Sequence, residues 1–414
     1  MYYQFSLGRF ISKKLAMILL LSVLTSGCLS PPEFITINDN AVVTIDETLF
    51  KQAIINNELN HLVVVSASIN GVSGFEFVLD TGAAGTVIFE SEKTQALNIK
   101  TEGTYDLGGS GNGDKALAKI GVDVDLSIGG ATINGMAPLI MNWKDVPLFE
   151  SRDGVYIDGI IGYDLFSRFL VDIDPSKKTV QLYKDNNTSL LSSLGSSALK
   201  LPLSFKARRI YTDIDIAQYK DSKGFSKQVM IDSGMTDTLH LIKGQNQIQI
   251  PANTRESSST GIQGDTQHYS ATLASINLAG VEINDLPISI ADTSGIEPLL
   301  GARVLNRFRQ IIDYKNKQIV LIPQRIEDAF SDVSFGLRVR PSADAFVAYS
   351  LSKGSPAYKA GLRNKDKIIS VNSVDTKDIR FRELVNIEPA NGDVLTLCYL
   401  REANPKRCIE LRAS

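Results

Sequence analysis

Leu79-Asp80-Thr81-Gly82 and Ile231-Asp232-Ser233-Gly234 are the two stretches on which the reading of this 414-residue chain turns. In each, an apolar run (74–79; 227–231) leads into a carboxylate, a small hydroxyl residue and a glycine, and a second apolar run follows (86–89; 238–242). The pattern predicts a strand that turns sharply, with the acid at the bend and the glycine letting the backbone fold tightly. A single Asp-Thr/Ser-Gly would mean little, because all its residues are ordinary turn formers. Its return 152 residues later, at the same place in a repeated framework, makes it a signal.

The framework itself is an internal repeat. Ser127-Ile-Gly-Gly-Ala-Thr-Ile-Asn134 matches Asn277-Leu-Ala-Gly-Val-Glu-Ile-Asn284, both strand–turn–strand. Gly159-Ile-Ile-Gly162 and Pro298-Leu-Leu-Gly301 each precede a short helix whose buried side carries Leu165, Phe166 and Phe169, or Val304, Leu305 and Phe308. Hairpins close both copies (171–182 and 311–321). Ser- and Asn-rich residues 185–197 between them read as a linker. The glycine-rich stretch with Gly108, Gly109, Gly111 and Gly113 reads as a hairpin tip too poor in apolar surface to pack down. It contains neither G-x-G-x-x-G nor G-K-[ST], so it is no dinucleotide or phosphate loop.

These residues resemble the aspartic peptidases, in particular the retropepsin-like bacterial kind with two lobes in one chain. The resemblance covers roughly residues 59–184 and 198–323. It rests on Asp80-Thr81-Gly82 with Ile160-Ile161-Gly162, and Asp232-Ser233-Gly234 with Leu299-Leu300-Gly301. It implies a mainly β protein whose tandem lobes form a pepsin/retropepsin-like pseudodimer, with Asp80 and Asp232 catalytic and Thr81, Gly82, Ser233 and Gly234 supporting them. Glycine-rich flaps would cover the cleft at Gly108, Gly109, Gly111 and Gly113, and at Gly261 and Gly264. Two departures stand out. Ala83 follows the first triplet as in the family, but the bulky Met235 follows the second, and Asp237 adds a third acid nearby.

Residues 333–414 resemble a PDZ domain of the type attached to bacterial envelope proteases. Ser334-Phe335-Gly336-Leu337 matches its carboxylate-binding loop, and Lys353–Leu362 its signature helix, with Ser355 as N-cap and Pro356 at the first helical position. Such modules add a peptide C-terminus or strand along an open sheet edge.

Basic residues Arg9, Lys13 and Lys14 precede an apolar run, Leu15 to Leu24, and then Thr25-Ser26-Gly27-Cys28. The run is short for a bilayer span and suits a signal peptide over 1–27. Small residues before Cys28 resemble a bacterial lipobox. This implies lipid attachment at Cys28, a tether and lead-in over 28–58, and a place in the cell envelope facing the periplasm. Leu29 after the cysteine favours the outer membrane. Cys398 and Cys408 remain, and an even pair in an exported chain predicts a disulfide. If Arg401 faces Pro405 across a tight turn, the same register sets Cys398 opposite Cys408.

With a formal charge of −3 and no basic cluster, the composition gives no support to nucleic-acid binding. There is no H-E-x-x-H or G-x-S-x-G, and His61, His240 and His268 are the only histidines. Asp164, Asp172 and Asp174 read as helix and turn acids rather than metal ligands, so neither metal nor other cofactor is expected. Two carboxylates about 3 Å apart would share a proton, so that one activates water while the other protonates the peptide carbonyl. The other reading is a non-catalytic envelope peptide-binding protein on a silent peptidase scaffold, which Met235 favours.

Overall fold

A computed structural model describes residues 33–414, apart from 110–112, 143–149, 152–153, 156, 185–187, 196–197, 221–222, 245–247, 251–253, 292–296, 331–332, 343, 350, 352, 386, 388 and 403–404. The signal-like segment, Cys28 and Gly111 therefore lie outside the described residues.

Each copy of the repeat folds into a β unit. The first holds a ten-stranded sheet and the second an eight-stranded one. In both, the apolar-apolar-Gly segment is a short buried strand lying parallel to the strand that ends in the acid. Ile161 is registered on Leu79, and Leu300 on Ile231. Parallel strands covered on both faces need continuous rather than alternating apolar residues, as these runs supply. Gly162, just after the first short strand, and Gly301, the last residue of the second, stand where no side chain fits. A Cβ on Gly162 would run into the Ala83 carbonyl, and one on Gly301 into the Asp237 carbonyl.

A third sheet joins the units. Strand Phe169–Asp174 pairs antiparallel with Phe308–Asp313, setting Val171 opposite Ile312. The closing hairpins flank this pair, with Ile54–Ile55 and Leu199–Pro202 at the edges. Arg309 grips Asp172 with both arms, at 2.8 and 2.6 Å, across the joint. Asn306 donates to the His61 carbonyl at 2.7 Å. Leu165, Phe166, Val304, Leu305 and both closing phenylalanines are buried in one core spanning the two units.

Two segments expected to be plain connectors are built into the fold. Residues 33–58 form a helix, Glu33–Asn40, and strands Val42–Ile45 and Ile54–Ile55 that extend two sheets. The buried Asn38 amide pairs with both backbone groups of Ala137. The expected linker contains a helix, Thr188–Ser193; Leu190, Leu191 and Leu194 lie on Leu170, Ile311 and Val320. In both cases a few apolar residues at helical spacing outweigh the polar composition around them.

Residues from Val333 onward form a separate β unit with its own core around Phe346, Leu362 and Leu397. Ser355 caps helix Pro356–Lys359, accepting from the Tyr358 amide, with Pro356 in the first turn. Strands Val394–Leu400 and Arg407–Arg412 pair so that Cys398 faces Cys408, and a disulfide joins them. Among the described residues no helix is long and apolar enough to cross a membrane.

Candidate active site

The two Asp-x-Gly loops meet at the joint between the β units. Thr81 and Ser233 cross over. Thr81 Oγ1 donates to the Ile231 carbonyl at 2.7 Å, and Ser233 Oγ to the Leu79 carbonyl at 2.8 Å. Each hydroxyl also accepts the other's backbone N–H, at 3.0 and 3.1 Å. Both side chains are buried, so the four bonds form out of reach of water, where an unmade bond is costly. A threonine and a serine suit this exchange because a hydroxyl both donates and accepts.

This exchange places Asp80 and Asp232 side by side on the floor of a cleft, close enough for each carboxyl to act on the proton affinity of the other. Each also accepts its own loop's glycine amide: Gly82 N–H to Asp80 at 2.7 Å and Gly234 N–H to Asp232 at 3.0 Å. The glycines are dictated by the crossing. A Cβ on Gly82 would lie 2.8 Å from the Asp232 carboxyl carbon, and one on Gly234 would collide with the Asp80 carboxyl.

Burial raises both carboxyls above the usual carboxylate range, and Asp232 well above it, because the neighbouring Asp80 adds its charge. The amides of Gly82 and Gly234 and the cationic Arg209 oppose the rise. Two like charges in contact resist ionising together, so the pair favours a state with one proton shared between them.

Met235 does not disturb the loop. Its carbonyl accepts from Ala302 N–H at 2.8 Å, just as that of Ala83 accepts from Tyr163 N–H at 3.0 Å. Its side chain packs on Tyr211, Met230 and Leu299. Asp237, whose side chain accepts from Thr238 N–H, acts with its charge on His240 and His268. Both histidines are buried. His240 contacts Ser289 Oγ at 2.8 Å, and burial pushes its pKa down to about 4, so it is neutral near pH 7. Asp164 accepts from Thr86 N–H and Asp174 from Gln324 and Lys177 N–H, so these acids organise turns.

Two hairpins reach over the cleft: Thr101–Leu107 with Ala116–Gly121, and Arg255–Gly261 with Gly264–Leu278. Their tips touch. Gly109 N–H donates to the Gln263 side chain at 2.9 Å, and Gly113 N–H to the Gln263 carbonyl at 2.6 Å. Gly108 and Gly109 thus lie against Ile262 and Gln263, between Gly261 and Gly264. Gln263 was not singled out in the sequence; its place between two tip glycines was the available signal.

The cavity beneath the tips has a volume of about 1460 Å³. It continues from Asp80 and Asp232 to the C-terminal unit, where Ser334, Phe335, Gly336 and Leu337 also line it. Gly336 has φ +61°, and a Cβ there would strike Ser355, so only glycine fits this loop. Among the described residues no cluster of three or more His, Cys, Asp or Glu could hold a metal ion.

Residues 65–165 match the family model of the aspartyl proteases. The matched segment contains Asp80 and runs through Gly162 to the short helix. Among solved structures, the chain is similar to a retropepsin-like aspartic protease from Rickettsia conorii. That similarity is 17% in identity with a TM-score of 0.25, and covers 30% of this chain and 89% of the other. No curated protein matches.

Proposed function

We propose that this chain is an aspartic endopeptidase in which Asp80 and Asp232 hydrolyse a peptide bond held beneath the two hairpin tips. The observation that carries this reading is the carboxyl pair itself, fixed by the Thr81–Ser233 exchange at the floor of a cleft. The ionised carboxylate takes a proton from a water whose oxygen attacks the peptide carbonyl carbon. The protonated carboxyl gives its proton to the carbonyl oxygen. Collapse of the resulting gem-diol breaks the C–N bond, the nitrogen leaves with a proton, and the pair returns to one shared proton. Met235, the residue that argued for a silent scaffold, fills an apolar niche and leaves the backbone of its loop unchanged.

On the same reading the two β units are the lobes of a peptidase and residues 333–414 a PDZ domain. Its loop Ser334–Leu337 would take a substrate's C-terminal carboxylate. The shared cavity supports recruitment: a polypeptide seated at that loop has an open path to the carboxyl pair. The signal-like N-terminus with Cys28 fits export and lipid attachment in the bacterial envelope. Cys28→Ser should then move the protein out of the membrane fraction, and unchanged partition would refute attachment there. The test of the activity is incubation of the purified protein with a peptide library, with and without pepstatin. Pepstatin-sensitive cleavage is expected; the absence of cleavage across weakly acidic to neutral pH would refute it.

A further inference from the structure

The two halves of the cleft share one backbone register. Val64 lies opposite Val78 in the first β unit, and Tyr211 opposite Met230 in the second, each partner standing two residues before its Asp. Two residues upstream of Val64 and Tyr211 stand Leu62 and Arg209. Each follows a turn of two left-handed residues: Asn60 and His61 at φ 45° and 69°, Ala207 and Arg208 at φ 48° and 67°. Leu62 and Arg209 are therefore equivalent positions of the repeat, and both line the cavity with Asp80 and Asp232. One is a buried apolar residue in the cluster with Val64, Val78 and Ile160. The other is a cation.

Arg209 is not used up by the fold. Among the described residues its buried Nε has no hydrogen-bond partner. The acid beside it, Glu297, is held by Tyr211 Oη and by its ion-pair partner Lys206, and feels the charge of Arg209 more weakly. Arg209 shares Tyr211 with that group and acts with its charge on both carboxyls of the pair. A guanidinium that lines the cleft beside the carboxyl pair suits a carboxylate, which accepts two parallel N–H bonds.

We propose that Arg209 is a specificity-determining residue that binds a substrate carboxylate, an Asp or Glu side chain, close to the scissile bond. The equivalent position on the other side, at Leu62, takes an apolar side chain. The cleft therefore reads a peptide with polarity: acidic toward the second β unit, apolar toward the first. A bound carboxylate would pair with the charge of Arg209, and an uncharged isostere would leave that charge unpaired. This rests on the cleft being a peptide-binding site.

The experiment compares two peptides, identical but for Glu or Gln at the acidic position found by library cleavage, on wild type, Arg209→Leu and Arg209→Lys. Wild type should prefer Glu. Arg209→Leu should erase the preference, a change of about tenfold or more in the kcat/KM ratio, and Arg209→Lys should restore part of it. If Arg209 only tuned the carboxyl pair, its variants would shift the pH profile equally for both peptides with the ratio unchanged, and that result overturns the proposal. Binding of the same peptides to Asp80→Asn and to Asp80→Asn/Arg209→Leu, read by fluorescence anisotropy, separates the two claims. There, a library without any cleavage supplies the peptides as a random Glu/Gln series. Glu preference lost with Arg209 supports the proposal even if no protein cleaves. Equal binding of Glu and Gln peptides overturns it.

Discussion

Leu62 and Ile160 in the first β unit, and Arg209 and Leu299 in the second, occupy equivalent positions of the repeat and line the same cleft, yet the first pair is aliphatic and the second includes a cation. Leu62, Val64, Val78 and Ile160 belong to a continuous apolar cluster. Of their counterparts, Tyr211, Met230 and Leu299 form a small apolar patch with Met235, bordered by the Arg209 guanidinium, the Tyr211 hydroxyl and Glu297. At the joint itself the units do not diverge: Thr81 and Ser233 make the same two kinds of bond in each direction. The backbone geometry that holds the carboxyl pair is therefore kept in duplicate, while the walls are free to differ. A pseudo-symmetric site can thus treat the two ends of one peptide differently without altering its acids.

If the joint is as symmetric as its bonds, breaking it from either side should cost alike. Thr81→Val and Ser233→Ala should each lower unfolding free energy, by about 1–3 kcal/mol for every buried group left without a partner. The double variant should lose less than the sum, because both changes strike the same four bonds. Denaturant unfolding measures this; additive losses would show that the two halves of the exchange are independent.

A second prediction separates the two acids by pH. Both folded-state pKa values are raised, so the folded protein binds protons more tightly than the unfolded chain. The associated stability is whole below the unfolded carboxyl pKa and is lost as pH rises through the interval up to the folded value. Asp232→Asn removes the more strongly raised group, and should raise Tm at neutral pH by about 2–4 °C per kcal/mol recovered. The gain should shrink toward pH 3, and should exceed that of Asp80→Asn. A gain that grows in acid would reverse the sign of the shift.

The smallest effect concerns the residues after the triplets. Ala83 and Met235 offer no hydroxyl to the pair. Ala83→Thr supplies a donor that favours the charged form, and should move the acidic limb of the activity profile, centred in weakly acidic to neutral pH, further toward acid. Met235→Thr should move it the same way, with some loss of stability because Met235 packs on Tyr211, Met230 and Leu299. A profile unmoved by both would show that other groups set the proton affinity.

Much of this was legible in the sequence, because the repeat carried it. The paired triplets, the apolar-apolar-Gly strands, the closing hairpins and the opposition of Cys398 and Cys408 follow from a repeated motif, from short apolar runs and from register, all local properties. What was not legible depends on contacts between distant segments. Arg209 reads as one of several basic residues until its turn is aligned with Asn60-His61. Met235 reads as an obstacle until the niche beside Leu299 is seen. Helix Glu33–Asn40 and helix Thr188–Ser193 lie in stretches whose polar composition hid the few leucines, isoleucines and phenylalanines that dock them. The shared cavity between the carboxyl pair and Ser334–Leu337 depends on how the C-terminal unit is set against the others, which local patterning does not specify.

The central claim is that Asp80 and Asp232 form a single hydrolytic unit. It is tested most directly by comparing the peptide bonds cut by wild type, Asp80→Asn and Asp232→Asn, by mass spectrometry of one peptide library. Thermal unfolding in parallel shows that each variant is folded. The account predicts that either substitution alone lowers cleavage of every bond by about 10²–10⁴-fold or more, since a lone carboxyl cannot act as both base and acid. Near-normal cleavage of the same bonds by either folded variant would contradict it.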